Sequence, residues 1–295
     1  MLEKFGMATT HVDEHSEKIS IEALKDFVDS VNQQYTPIGV EHDPRIPPIG
    51  RVISAQIEEL PDGEFAVDRI AEIFEEGQEI EFRDDGREIP IRSIGEGITI
   101  SPDRSYVQPN DKELLRELEE LLKCQIKSQI KKSVEPISIL IIAASFTAGE
   151  IAQGLLSKIG EDIWEKVKGK INELVNSETH VEKDRLLVFE FTVDLENNPL
   201  SLEATLTNPS ESEIREFLDE GLEQLDKKTD LFSQDRHYLK KVVLEYKDNK
   251  MRVIFGLRVD GVPLPILHEV TSDQRSRARA CGLSDGFLPC FYGFS

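Results

Sequence analysis

Residues 137–156 read ISILIIAASFTAGEIAQGLL, a run about as long as a bilayer-spanning helix. An apolar run of this length must be buried in protein or in lipid, so it limits the folds open to the chain. Its uncharged part ends at Gly149, and Glu150 and Gln153 follow. A Glu inside a membrane is costly unless it is paired or faces a pore. Ala143, Ala144, Ser145, Ala148 and Gly149 are small enough for close helix packing, and Lys127, Lys131 and Lys132 precede the run as a cytoplasmic flank would. The uncharged part has the length of a core helix. The run is therefore expected to form an apolar helix over 137–156, buried at a domain or oligomer interface. Membrane association through 137–156 is the alternative.

The other constraints come from charge and cysteine content. The chain has 295 residues and a formal charge of −22. Such an acidic surface repels phosphate backbones and argues against general nucleic-acid binding, so no nucleic-acid partner is expected. The three cysteines, Cys124, Cys281 and Cys290, form no CxxC pair, so neither a zinc knuckle nor a disulfide scaffold is expected. A reducing cytoplasm fits this usage. The N-terminus has no apolar stretch of the signal-peptide kind. No cofactor or metal is expected.

The sequence divides into blocks and predicts an α+β fold. Residues 1–110 read as a β-rich, barrel-like domain. In it Ser20 caps a helix bearing Leu24, Phe27, Val28 and Val31 on one face, and short strands turn at PDG and DDG. Residues 111–177 read as a helical region. Leu115, Leu118, Leu122 and Ile126 mark one stripe, and Trp164, Val167, Ile171 and Leu174 mark another. Residues 184–264 read as a ββαββ module, with a capping box at Ser210 and Glu213 and a hairpin turn at Asp248-Asn249. Residues 265–295 form an irregular tail that is basic and then rich in glycine and aromatics.

The stretch that points to chemistry is GVEHDPRIPPIGRV, residues 39–52. Pro44, Pro47 and Pro48 stiffen the chain around His42, and a fixed neutral imidazole can act as a general base. With HVDEHSEKISIEALKDF before it and DGEFAVD after it, this segment resembles the prohead (capsid maturation) serine proteases of tailed phages. That family shares its barrel fold with the herpesvirus assemblins. The resemblance covers roughly the first third of the chain. It implies that His42 is the catalytic histidine and that a serine on a later strand is the nucleophile. Ser93, in RSIGEG, has the family's tripeptide setting. Ser101, with Thr99 on the same face of GITISPD, lies on the better strand. Asp43 points to the opposite face from His42, so no third member is assigned.

A second cluster, HVDEH, spaces His11 and His15 four apart, but it reads as a solvated loop before the helix. Two functions follow. One is a serine peptidase acting on itself or on a protein partner. The other is a non-catalytic, phage- or defence-related assembly protein that uses its apolar helix to homo-oligomerise or to associate with a membrane.

Overall fold

A computed structural model describes residues 2–12, 18–40, 43–75, 80–91, 97–102, 111–126, 138–147, 149–176, 184–195, 198–232 and 239–264. The fold is α+β, and the chain divides into two compact units.

The first unit comprises Met1–Val40, Ile46–Pro90 and Leu257–Ser295. Strands β1 (Leu2–Thr9), β2 (Thr36–Ile38), β3 (Gly50–Glu59) and β4 (Phe65–Ile73) form an antiparallel sheet in the order β1-β4-β3-β2, curled as a half-barrel. Helix α1 (Ile21–Gln33) packs against β3. Its N-terminus is fixed as its sequence predicts: the Ser20 hydroxyl accepts the Ala23 N–H at 3.1 Å. Leu24 and Val31 are buried against Val52, Ala55 and Val67, with Phe27 and Val28 at the margin. The Asn32 side chain continues the sheet where β2 stops. It accepts the Ala55 N–H at 2.9 Å and donates to the Ala55 carbonyl at 3.0 Å. Strand β1 has no counterpart in the sequence reading, because only its pairing with the distant β4 places it.

The second unit comprises Glu41–Arg45 and Ile91–Gly256. Its elements are β5 (Thr99–Pro102), α2 (Asp111–Leu122), β6 (Gln125–Ile126), β7 (Ser138–Thr147), α3 (Ile151–Ile159), α4 (Glu161–Val175), β8 (Arg185–Leu195) and β9 (Asn198–Thr207). After these come α5 (Glu211–Glu216), a π turn (Phe217–Gly221), α6 (Leu222–Phe232), β10 (Leu239–Lys247) and β11 (Lys250–Arg258). The strands lie in the order β11-β10-β9-β8-β7-β5-β6. Two helical crossovers join parallel neighbours, β7 to β8 and β9 to β10. The last residues of β11 carry the chain into the first unit, where a turn leads to β12 (Pro263–Leu264).

This architecture corrects the reading of 137–156. Residues 138–147 are strand β7, and only Ile151–Ile159 are helical. SILIIAASFT lies between β5 and β8, and Leu140, Ile141, Ile142, Ala143 and Ala144 are all buried. A strand covered on both faces needs a continuous apolar run instead of an alternating one, and such a run looks like a core helix in sequence. The break falls at Gly149, whose φ is 76°. No described helix is long and apolar enough to cross a membrane. The helical block and the ββαββ block therefore share one sheet, because β7 pairs with β8 from Ser138↔Arg185 to Thr147↔Asp194. Helix α2 also stops short of the predicted stripe. It ends at Leu122, Lys123 takes φ 47°, and Ile126 falls in β6.

Local signals in the C-terminal half hold. The capping box at Ser210 and Glu213 is formed, and Asp248 and Asn249 both take positive φ in the β10–β11 turn. One cap comes from a remote residue. Asp226 of α6 accepts the N–H groups of Ile151 and Ala152 at 2.9 and 3.1 Å, so it closes the N-terminus of α3. Asp226→Ala is expected to cost about 1–2 kcal/mol in urea denaturation. An unchanged midpoint would show that the cap contributes nothing.

Candidate functional site

The HDPRIPPIGR frame supplies two separate constructions. In the second unit, Asp43-Pro44-Arg45 forms a tight turn. Asp43 Oδ1 accepts the Arg45 backbone N–H at 2.9 Å and Arg45 Nε at 2.9 Å, and Asp43 Oδ2 accepts Nη2 at 2.7 Å. Pro44 presets the φ that this turn requires. The Arg45 guanidinium also donates to Thr207 Oγ1 at 3.1 Å and to Asp184 Oδ2 at 3.3 Å, which anchors the turn at the adjoining ends of β8 and β9. Both Asp43 and Arg45 are buried. Both oxygens of Asp43 are thus taken by Arg45. His42 and Ser93 lie outside the described residues.

In the first unit, the frame's Gly50-Arg51 opens β3. A Cβ on Gly50 would stand 2.5 Å from the Glu72 carbonyl oxygen, so only glycine fits there. Arg51 is 0% exposed, as is the Asp260 carboxylate it meets at 2.7 Å. Arg51 Nη1 also donates to the Asp260 carbonyl at 2.6 Å, and Nε donates to Glu72 Oε2 at 2.8 Å. The Tyr35 ring lies within cation–π reach of both Arg51 and Arg87, with the two guanidinium carbons 5.0 and 4.4 Å from the ring centroid. The Tyr35 hydroxyl donates to Asp85 at 2.7 Å. Burial opposes ionisation of Asp260 and Glu72. Their guanidinium partners, Arg258 and Arg51 at Asp260 and Arg51 and Arg83 at Glu72, outweigh it and hold both carboxyls below the usual range.

The remaining predicted residues lie on β5. The strand register fixes what shares their face, since paired residues point the same way. One row runs Thr99, Ala143, Glu190, Glu203; the next runs Ser101, Ile141, Val188, Thr205. The hydroxyl candidates therefore share a sheet face with two buried carboxylates. Thr207, the anchor of Arg45, lies two residues beyond Thr205 and is on this face too. Glu190 and Glu203 are direct cross-strand partners, and Lys241 pairs with Glu203. Ser101 is 2% exposed and Thr99 is half-buried. Sequence reading missed the two glutamates because each is one residue in an ordinary strand, and only a non-local register brings them opposite one another.

Other candidate groups among the described residues have structural roles or lack reactive character. His11 is exposed and pairs with Asp62 at 2.8 Å, while His15 lies outside the described residues. No group of three or more His, Cys, Asp or Glu able to hold a metal occurs among the described residues. Burial, with Glu119 nearby, pushes the Cys124 thiol up to about 11, so it is not a thiolate nucleophile at neutral pH. An open groove of about 490 Å³ lies along α2 and α4, but its Lys170 is already held by Glu117 and Glu173 at 2.8 Å each.

Two predictions follow from the frame. Gly50→Ala should destabilise the protein by about 1–3 kcal/mol, because backbone has to move; equal denaturation midpoints would refute the clash. Carboxyls whose pKa is depressed by folding stabilise above their unfolded value near 4 and lose that contribution as pH falls through the folded value. Thermal melts should therefore fall steeply below about pH 4, and Glu72→Gln should flatten that fall while lowering stability at pH 7. Parallel pH profiles for the two proteins would contradict the ion-pair account. Compared with protein-family models, curated proteins and solved structures, the chain finds no match.

Proposed function

We propose that the chain is a serine peptidase of the prohead-protease type, acting on itself or on a protein partner. One observation carries this reading. A single face of the second unit's sheet bears the hydroxyls of Thr99 and Ser101, the buried carboxylates Glu190 and Glu203, and the anchor of the turn that follows His42. A general base, a hydroxyl nucleophile and an orienting carboxylate are the parts that acyl transfer needs. In this reading His42 is the base. Ser93 or Ser101 is the nucleophile, and Glu190, separated from Thr99 by the small Ala143, is the acidic member. At 2% exposure Ser101 acts only if its cover moves aside.

The second reading is a non-catalytic assembly protein. The observation favouring it is that Asp43, Arg45, Gly50 and Arg51 each have a packing or ion-pair role that needs no chemistry. The two readings separate by intact and peptide mass spectrometry of the purified protein over time, beside His42→Ala, Ser93→Ala and Ser101→Ala. The peptidase reading expects time-dependent cleavage or acylation by a fluorophosphonate probe. Both should be lost in His42→Ala and in one of the serine variants, by at least about a hundredfold. Uncleaved, unlabelled protein in every sample would leave the assembly reading.

A further inference from the structure

The first unit is built from Met1–Val40 and Ile46–Pro90, an earlier stretch interrupted by Glu41–Arg45 of the second unit, and from Leu257–Ser295, a later stretch beyond residues 91–256. The later stretch contributes the turn after β11. Arg258 donates its backbone N–H to the Val262 carbonyl at 3.0 Å, and Gly261 closes the turn at φ 84°. This turn meets the earlier stretch at several points. Asp260 takes Arg51, with both side chains 0% exposed, and its Oδ2 also accepts the Arg83 N–H at 3.2 Å. Arg258 donates to the Ile80 carbonyl at 3.2 Å and to the Glu81 carbonyl at 3.4 Å. The Val259 carbonyl accepts the Ile89 N–H at 2.7 Å. A Cβ on Gly261 would come within 3.0 Å of Ile89, so the turn sits close against that residue. None of these contacts requires an unbroken backbone through 91–256.

We propose that residues 257–264 act as a strap, holding the N-terminal stretch to the C-terminal part of the chain after the backbone between them is cut. The processed protein is then a nicked species of two fragments, and neither fragment is released. This inference rests on the peptidase reading only for what makes the cut. Its buried centre gives the strap strength, because removing one partner of such a pair leaves a charge uncompensated in the interior.

The test supplies the cut from outside. A recognition sequence for a specific protease is inserted between Arg92 and Glu96 of the full chain, the purified protein is cleaved, and the products are followed by size exclusion and native mass spectrometry. The parent should run as one species carrying both fragments. Arg51→Met and Asp260→Asn should raise the dissociation constant of the cut form by about a hundredfold or more. Arg258→Gln, which leaves the Arg51–Asp260 pair in place, should raise it less. Thermal melts before cutting show which variants fold, and Arg258→Gln carries the comparison if the other two do not. Fragments that separate in the parent overturn the strap, and so do variants that hold as tightly as the parent. Self-cleavage is read on the chain without the insertion, because the insertion interrupts the setting of Ser93, and its absence there bears on the peptidase reading alone.

Discussion

The buried ion pair between Arg51 and Asp260 is the constraint on which the first unit depends. A guanidinium with no solvent exposure is tolerated only with close counter-charges and satisfied donors. Asp260 and Glu72 supply the counter-charges, and the Asp260 carbonyl and Glu72 accept from Nη1 and Nε. Nη2 lies 2.8 Å from Glu72 Oε2 without a hydrogen bond, and the Tyr35 ring centroid lies 5.0 Å from the guanidinium carbon. Each partner comes from a different segment: β4, the residue before β2, and the turn after β11. The charge thus selects one arrangement of chain segments that an apolar contact of the same size would leave less specified. Gly50 belongs to the same device, because only its missing side chain lets β3 start against the Glu72 carbonyl.

This explains the stiff sequence around His42 without recourse to chemistry alone. HDPRIPPIGRV encodes two anchors separated by a proline-rich connection. Asp43 and Arg45 neutralise one another and tie the chain to the ends of β8 and β9. Gly50 and Arg51 start β3 in the other unit. Both anchors follow His42 in the sequence, and a chain held directly after a histidine suits the fixed base that acyl transfer requires. The two roles are compatible: the anchors do structural work, and the proposed chemistry belongs to His42, which precedes them, and to residues of the shared sheet face.

Local signals were legible in the sequence. The Ser20 cap, the Ser210–Glu213 capping box, the apolar stripes of α1 and α4 and the Asp248-Asn249 turn each involve residues a few positions apart, and each formed as read. What escaped was non-local or ambiguous in period. Apolar residues 138–147 fit a core helix or a doubly covered strand equally well, and only their pairing with β8 decides. The partner of Arg51 lies two hundred positions away, and the opposition of Glu190 and Glu203 depends on the register of two strands. For the site, the sequence supplied the hydroxyl strand and the His42 frame. The structure added the carboxylates on the shared face and showed what Asp43 and Arg51 are bound to.

The central claim is that Arg51 and Asp260 are energetically one unit. A double-mutant cycle on Arg51→Met and Asp260→Asn, read by urea denaturation at pH 7, tests it most directly. The account predicts that the two single changes are each strongly destabilising and that the double change costs far less than their sum, with a coupling of at least about 2 kcal/mol. Additive losses, with a coupling near zero, would contradict it.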